Sequence, residues 1–240
     1  MLTAADRIRL RVKDMEFRHG LPMQRLALRT GVLSYPYLPE DERLEAVFIH
    51  VPKAAGTSLR KAIWRRKSFH IPATRYIAAD PDRFRRWFTF CVVRNPWDRM
   101  SSAFHYLHRR RTARPDFFDH RWAATRLADV ETFAAFLHRL DGDERFRSDV
   151  MRYVHFRSQL TWISQPGARD RILVDYVGRF ERMDQAYAYV SNRLAPGTPL
   201  PQERVRGDGK DYRQLYDTRM VDIVAGLYRQ DVEVLGYSFE

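Results

Sequence analysis

Two short apolar runs, each followed by a turn and then by a segment of helical character, constrain the fold of this chain most strongly. Residues 46–51 (AVFIHV) and 88–93 (FTFCVV) contain few polar side chains. Such runs are typical of strands buried on both faces, as in a parallel sheet. A third run, 171–177 (RILVDYV), is predicted to be another strand. Strands that alternate with helices predict an α/β fold in which a central, mainly parallel sheet is flanked by helices.

The length of 240 residues, without an internal repeat or a long linker, predicts one domain over residues 1–240. Residues 45–240 are expected to form its core, and residues 1–44 a less defined N-terminal extension. Asp80, directly before Pro81, is a candidate helix N-cap. Apolar spacing and turn signals predict helices over residues 58–67, 81–87, 97–111, 129–140, 181–194 and 218–235.

The N-terminal extension carries two competing patterns. Ile8, Leu10 and Val12 alternate with basic residues, which favours a strand. Met15 and Phe17 continue the apolar series at a spacing that also fits a helix. Both interpretations stay open from the sequence alone.

The charge balance points to an anionic ligand. The chain has 42 basic and 30 acidic residues, a formal net charge of +12, and an isoelectric point of about 10.1. A surplus of this size suits phosphate, sulfate, nucleic acid or an acidic membrane surface. Composition does not choose among these ligands.

The single cysteine, Cys91, excludes an internal disulfide and a cysteine-based metal cluster. It lies inside an apolar run, so we interpret it as a buried structural thiol. No apolar run approaches the ~18 residues of a membrane span, and charges interrupt the start of the chain too often for a signal peptide. We therefore expect a cytoplasmic protein, although a chain trimmed of a membrane anchor would have the same composition.

The first chemically informative motif is residues 52–58 (PKAAGTS), which follow the first strand and begin a helix. This arrangement places backbone N–H groups around an anion. Gly56 would let the backbone approach the ligand, Thr57 and Ser58 would donate hydroxyls, and Lys53 would supply a point charge. A nucleotide triphosphatase would have its lysine directly after the last glycine, as GxxxxGK[ST]. The loop is therefore predicted to hold a phosphate-like group without ATP hydrolysis; the alternative is an ordinary turn with a capping Thr-Ser pair.

The second motif is Arg94, which closes the second strand, followed by an Asn-Pro turn and a helix containing Ser102. A guanidinium at a strand end and a hydroxyl two helical turns further on can converge on one phosphate. The alternative is that Arg94 pairs with Asp98 and that Ser102 only packs.

Together these motifs resemble the carbohydrate-type sulfotransferases, family 2. Residues 52–58 are similar to the family's 5′-phosphosulfate loop, PKxxGTS. Residues 94–106 are similar to its 3′-phosphate motif, RNPxxRxxSxxxxY, with Tyr106 close to the expected aromatic position. Gln159 matches the family's PQ segment, although Ser158 replaces the proline. Residues 177–184 (VGRFERMD) and the last 30 residues, including the closing LGYSF, extend the resemblance over residues 45–240.

The resemblance implies a P-loop nucleotide-kinase-like fold and a sulfuryl transfer from 3′-phosphoadenosine 5′-phosphosulfate (PAPS) to an acceptor hydroxyl. The product would be 3′-phosphoadenosine 5′-phosphate (PAP), with no metal required. The implied acceptor is a glycan, a glycolipid or a similar hydroxyl compound. The basic tract 108–114 (HRRRTAR) is either a solvated helix end or a surface for an acceptor that carries carboxylates or sulfates. The cofactor-binding residues so implied are Pro52, Lys53, Ala54, Ala55, Gly56, Thr57, Ser58, Arg94, Ser102, Arg206 and Lys210.

The chain departs from the family before residues 211–213 (DYR), where an Asn-x-Ser is common. Here the sequence is ERVRGDGK, residues 203–210. Arg206 and Lys210 would cover the 3′-phosphate or adenine instead, or belong to a charged loop that binds nothing.

In-line sulfuryl transfer needs a cation near the leaving oxygen and a base for the acceptor hydroxyl. Lys53 is predicted to neutralise the bridging oxygen. We favour His70 as the base because relatives commonly have a histidine there. His105 and a carboxylate such as Glu181 are alternatives, whereas His50 is expected to be buried in the sheet.

Two other classes of protein compete with this interpretation. A nucleic-acid-binding protein would explain the charge, but zinc-finger spacing, RNA-binding RNP motifs and a helix-turn-helix pattern are missing. A nucleotide kinase of related fold would need its lysine elsewhere in the loop. The sequence therefore favours a PAPS-dependent transferase with no nucleic-acid partner and no membrane span.

Overall fold

The structure, a computed structural model, describes residues 1–18, 20–54, 56–64, 69–112, 117–198 and 211–239, and only the backbone of residues 57, 58 and 60. The chain divides into two compact units of discontinuous segments. The helical unit comprises Met1–Asp14, Asn95–Ser158 and Asp208–Glu240. The sheet unit comprises Met15–Arg94 and Gln159–Gly207. The expectation of one domain over the whole chain stays a prediction.

The described residues form α-helices of 4–15 residues and strands of 2–6 residues. The helices are α1 (Ala4–Arg18), α2 (Leu21–Arg29), α3 (Pro39–Leu44), α4 (Gly56–Trp64), α5 (Ala73–Ala79), α6 (Pro81–Arg86), α7 (Pro96–His108), α8 (Phe118–Arg126), α9 (Phe133–Gly142), α10 (Glu144–Met151), α11 (Leu160–Ile163), α12 (Met183–Leu194), α13 (Thr218–Leu227) and α14 (Arg229–Leu235). The strands are β1 (Ala46–Ile49), β2 (Phe88–Val93), β3 (Ser164–Gln165), β4 (Ala168–Ile172) and β5 (Tyr176–Arg179).

A three-stranded parallel sheet lies at the core of the sheet unit, with the strand order β1-β2-β5. Every residue of β1 and β2 is buried, because helices cover a parallel sheet on both faces. In the register, Ile49 pairs with Cys91, and Val93 pairs with Arg179. The predicted α/β class and the first two strands are confirmed. The likeness to a P-loop nucleotide kinase stays a prediction.

The third predicted strand is wrong as a single element. β4 pairs antiparallel with β3, with Ser164 opposite Ile172, whereas β5 begins four residues after β4 and joins the parallel sheet. Asp175 fixes this break, since its Oδ2 accepts hydrogen bonds from the backbone N–H and the hydroxyl of Thr89 at 2.8 and 2.9 Å. Apolar periodicity does not reveal a partner 86 residues away.

The N-terminal extension begins with a helix, so the strand interpretation of Ile8, Leu10 and Val12 is wrong. Ile8 is 62% exposed and contributes nothing to a core. The helix start is instead fixed by polar groups: Asp6 N–H donates to the Thr3 hydroxyl, and the Asp6 carboxylate accepts from Thr3 N–H and from Arg121. The hydrogen bonds from Arg121 lower the pKa of Asp6, although burial opposes them.

Helix boundaries elsewhere follow local signals. Asp80 caps α6 as predicted, because its Oδ1 accepts from Arg83 N–H at 2.8 Å. Asn95 caps α7 by accepting from Trp97 N–H at 3.1 Å. The helix predicted over residues 218–235 is broken at Tyr228, between α13 and α14. The buried Tyr228 hydroxyl donates to the Phe156 carbonyl at 2.6 Å, which fixes the residue at the break.

Cys91 is fully buried in β2, as predicted, and burial raises the pKa of its thiol. A buried thiol with a raised pKa is a poor nucleophile. Among the described residues, no helix is both long enough and apolar enough to cross a membrane.

Phe90, in the middle strand, is expected to be a major contributor to stability. Its ring is fully buried and lies 5.0 Å from the ring of Phe48 and 5.3 Å from that of Phe88. Phe90→Ala should lower the free energy of unfolding by about 3–5 kcal/mol, because it removes buried surface and leaves a cavity. Urea denaturation measures this. Phe117→Ala is the control, since Phe117 is 67% exposed, and an equal loss in both variants would contradict the assignment.

Candidate functional site

The ends of β1 and β2 carry the two sequence motifs. Because the strands are parallel neighbours, their carboxyl ends lie at the same edge of the sheet, where ligand crevices of open α/β sheets form. The structure brings Lys53 and Arg94 together at this edge. Arg94 Nη1 donates a hydrogen bond to the backbone carbonyl of Lys53, with an N–O distance of 3.2 Å.

Lys53 occupies an unusual backbone conformation. Its φ angle is 68°, in the left-handed region, and non-glycine residues there cost roughly 1–2 kcal/mol. The loop turns tightly at this point, and the neighbouring Pro52 and Ala54 are buried while Lys53 is half-buried. Such strain is concentrated at binding and catalytic sites, where the surrounding structure maintains it. Here the hydrogen bond from Arg94 is part of that surrounding structure.

Contacts restrain both the backbone and the guanidinium group of Arg94. Its backbone N–H donates to Gln159 Oε1 at 2.9 Å, and its carbonyl accepts from Gln159 Nε2 at 2.7 Å. Its guanidinium carbon lies 4.1 Å from the centre of the Phe180 ring, a cation–π geometry. Arg94 is only 9% exposed, so its charge is directed within a fixed local frame.

Gly56 is required by a contact within the protein. A Cβ at this position would lie 2.1 Å from Cδ2 of His50, a separation that real atoms do not adopt. His50 is 5% exposed and its ring stacks on that of Phe48, with the centroids 5.6 Å apart. The predicted burial of His50 is confirmed. The loop backbone passes directly over the His50 ring, which explains why glycine stands there.

His70 lies beside the same histidine. Its Nδ1 is 2.9 Å from the carbonyl oxygen of His50, and the two ring centroids are 4.2 Å apart. A carbonyl can only accept, so Nδ1 carries the hydrogen, and in the neutral ring the basic lone pair is on Nε2. His50 therefore contacts both Gly56 of the loop and His70, which brings His70 next to the loop.

Other candidates fall into three groups. Ser102 lies partly exposed on α7 of the helical unit, where the Nδ1 of His105 is 2.8 Å from the Ser101 carbonyl. Glu181 belongs to a short 3₁₀ helix, Phe180–Arg182, in the sheet unit. That Ser102 and Arg94 reach the same phosphate stays a prediction. Outside the described residues are Ala55, Arg206, Lys210 and the side chains of Thr57 and Ser58.

Tyr106, the expected aromatic of the second motif, belongs to a hydrogen-bonded cluster around Asp119. The Asp119 carboxylate accepts from the hydroxyls of Tyr106 and Tyr153 at 2.9 and 2.5 Å, and lies 3.1 Å from Nε2 of His155. Burial, aided by the charge of Asp119, raises the pKa of Tyr106 to about 12. No sequence pattern indicates this cluster, since Asp119 and His155 are 36 residues apart along the chain.

Within the part of the chain that the structure describes, no group of three or more His, Cys, Asp or Glu side chains could hold a metal ion. The side chains that the structure brings together beside the loop after β1 are a lysine, an arginine and a histidine.

Comparison with known proteins decides the family. A family model described as the sulfotransferase family matches residues 40–238. The chain belongs to the sulfotransferase family. The family predicted from the two motifs is confirmed, and the residues at the sheet edge all lie within the matched span. No curated protein and no solved structure matches this sulfotransferase. It is accordingly a transferase that moves a sulfuryl group to an acceptor.

Gly56→Ala tests the contact between the loop and His50. The added methyl group would force the loop or the ring to move, so the free energy of unfolding should fall by about 1–3 kcal/mol. Gly226→Ala, in α13, is the matched control because, among the described residues, no atom other than its chain neighbours and its own helix backbone lies within 4 Å of the new Cβ. It should leave stability unchanged or raise it by up to about 1 kcal/mol.

A second variant identifies the atom responsible. Combining Gly56→Ala with His50→Ala removes the ring that the methyl group meets, so the double variant should lose less than the sum of the two single losses. Additive losses in urea denaturation would show that the clash lies elsewhere.

Proposed function

We propose that this sulfotransferase uses PAPS as its donor and holds it at the edge formed by the ends of β1 and β2. One observation carries the proposal: Arg94 Nη1 bonds to the Lys53 carbonyl, which joins the two phosphate-directed motifs. PAPS has a 5′-phosphosulfate and a 3′-phosphate, so two cationic positions on a shared frame suit its charge pattern.

The loop after β1 is proposed to bind the 5′-phosphosulfate in the manner of a P-loop. It leads into the first turn of α4, which begins at Gly56. Backbone N–H groups at a helix N-terminus and the partial positive charge there favour an anion. The hydroxyls of Thr57 and Ser58, and the backbone of Ala55, are part of this proposal.

The transfer itself is proposed to proceed in line. The acceptor hydroxyl oxygen forms a bond to sulfur while the bond from sulfur to the phosphate oxygen breaks, and the products are the sulfate ester and PAP. Lys53 neutralises the charge that grows on the departing oxygen. His70 Nε2 takes the proton of the hydroxyl, and the hydrogen bond from Nδ1 to the His50 carbonyl supports that tautomer.

Arg94 is proposed to bind the 3′-phosphate together with Ser102. Its planar guanidinium has five N–H donors, and the contact with the Phe180 ring at 4.1 Å restrains its position. Arg206 and Lys210 are proposed to cover the nucleotide. No metal is proposed, since Lys53, Arg94 and backbone amides supply the positive charge.

The acceptor is proposed to be a hydroxyl of a glycan, glycolipid or similar compound in the cytoplasm. The net charge of +12 supports an acceptor that is itself anionic, because this charge exceeds what is needed to neutralise two phosphates and one sulfate. Arg109, in the basic tract, is exposed on the surface of the helical unit.

Binding of PAP tests the donor site. Calorimetry should give a dissociation constant in the low-micromolar range or tighter, roughly −8 kcal/mol. Arg94→Ala should weaken PAP more than adenosine 5′-phosphosulfate, which lacks the 3′-phosphate. Arg85→Ala is the matched control, because the Arg85 side chain is 75% exposed on α6 and should affect neither ligand.

Two results would contradict the donor assignment. Absence of PAP binding at moderate salt would exclude the proposed site. An equal loss of affinity for both ligands in Arg94→Ala would show that Arg94 does not bind the 3′-phosphate.

Kinetics should separate the reacting centre from the nucleotide contacts. His70→Ala and Lys53→Ala should mainly lower kcat, by ~10²–10⁴-fold for a base of this type. Arg94→Ala and Ser102→Ala should mainly raise KM for PAPS, because their contacts change little between ground and transition state. His138→Ala, at an exposed position of α9, is the control for histidine loss.

The pH profile adds an independent reading for His70. As a base it must be neutral, so kcat of the native enzyme should fall toward acidic pH as the imidazole becomes protonated. Measurement over pH 5–9 with saturating PAPS should show this acidic limb. If His70→Ala keeps both the limb and a kcat within a few-fold of native, the base is another group, such as His105 or Glu181.

A further inference from the structure

The backbone of Arg94 is paired with a side chain at the point where the sheet ends. β2 and β5 pair as far as Val93 and Arg179, and Arg94 is the first residue after β2. At Arg94 the side-chain amide of Gln159 forms the hydrogen bonds instead of a strand: it accepts from Arg94 N–H at 2.9 Å and donates to Arg94 C=O at 2.7 Å. The amide thus replaces one residue of a neighbouring strand. Only a group with one acceptor and one donor in this spacing can do so.

Gln159 is itself firmly placed. It is completely buried, and it directly precedes α11, where its carbonyl accepts from Trp162 N–H at 3.0 Å. A buried side chain that starts from a fixed backbone has little freedom to follow its partner. The two hydrogen bonds therefore restrain both peptide groups of Arg94, and with them the direction of its Cα–Cβ bond.

The far end of Arg94 is restrained separately. Phe180 lies under the guanidinium at 4.1 Å, and the Lys53 carbonyl accepts from Nη1 at 3.2 Å. A shift of the Arg94 backbone would be magnified along the side chain before it reached these contacts. Accurate placement of the charged group thus depends on the backbone pairing with Gln159.

We propose that Gln159 is a positioning residue that sets the direction of Arg94 and thereby the enzyme's selectivity for ligands with a 3′-phosphate. This inference rests on the proposed function, because it assigns Arg94 to that phosphate. Gln159 acts through Arg94 and makes no contact with the reacting atoms, so its loss changes nucleotide recognition and leaves the sulfuryl-transfer step intact.

Gln159→Glu is the sharpest variant because it preserves size and one of the two hydrogen bonds. One carboxylate oxygen still accepts from Arg94 N–H, but the other faces the Arg94 carbonyl, where no donor remains. The dissociation constant for PAP should rise about tenfold, the scale expected for one lost buried hydrogen bond. Binding of adenosine 5′-phosphosulfate should change less than about twofold on the same scale. KM for PAPS should rise with kcat nearly unchanged.

Gln24→Glu is the matched control within the same unit. Gln24 is also buried, at 1% exposure, and its Nε2 donates to the Glu16 carbonyl at 2.6 Å and to the Thr74 hydroxyl at 3.1 Å. Gln24→Glu removes hydrogen bonds of the same kind, from a side-chain amide to an oxygen, at a position away from Arg94. It should therefore lose thermal stability while keeping the preference for PAP.

A double variant tests whether the effect passes through Arg94. In an Arg94→Ala background, Gln159→Glu should cause no further loss of preference for PAP over adenosine 5′-phosphosulfate. The positioning role is wrong if Gln159→Glu still lowers the preference for PAP in the Arg94→Ala background. It is also wrong if the single variant loses affinity for both ligands equally. An unchanged preference in Gln159→Glu would contradict it as well.

Ligand binding by the native protein distinguishes a failure of the proposed function from a failure of the positioning role of Gln159. If the native protein fails to prefer PAP, the proposed function is wrong and the positioning role is wrong with it. If it prefers PAP and Gln159→Glu does too, only the positioning role is wrong. Gln159→Asn, which keeps both groups on a shorter side chain, is the second variant. If both Gln159 variants are unfolded while Gln24→Glu is folded, Gln159 serves folding and the proposal fails.

Discussion

The parallel pairing of β1 with β2 is the constraint on which the candidate site depends. Adjacent parallel strands end at the same edge of a sheet. The loop after β1 and Arg94 after β2 therefore lie next to each other. The pairing itself is stabilised by burial, since every residue of both strands is removed from water. The hydrogen bond from Arg94 to the Lys53 carbonyl then joins the two loops.

His50 links the loop after β1 with the proposed base. Its ring occupies the space over which Gly56 passes, and its carbonyl holds His70 Nδ1 at 2.9 Å. One residue at the end of β1 thus determines both the path of the loop and the tautomer of a neighbouring imidazole. A site arranged in this way needs little reorganisation when an anion enters, which favours the electrostatic stabilisation that sulfuryl transfer requires.

Some of the arginines have a structural role. Arg99 is completely buried and donates to the carbonyls of His155 and Arg157 at 3.2 and 2.7 Å. Arg121 pairs with the buried Asp6 at 2.7 Å. Arginine suits such positions because its planar fork bonds several acceptors at once and stays charged when buried. These two arginines therefore contribute to the stability of the fold.

The sequence by itself determined the features that have local causes. Apolar runs predicted β1 and β2, Asp80 before a proline predicted a helix cap, and the spacing within two motifs predicted the family. A short window contains all the residues that decide such features. The pattern at Ile8 was misleading, because alternation within a helix that exposes this side chain carries no information about burial.

Only the tertiary structure decided the contacts between distant residues. Gln159 pairs with the backbone of Arg94 across 65 positions, and Asp175 pairs with Thr89 across 86. The family resemblance located Gln159 but gave it no role. Even the contact between Gly56 and His50, only six positions apart, follows from the path of the loop and not from a local pattern. Such pairings depend on which segments the buried sheet brings together, and local periodicity does not specify this.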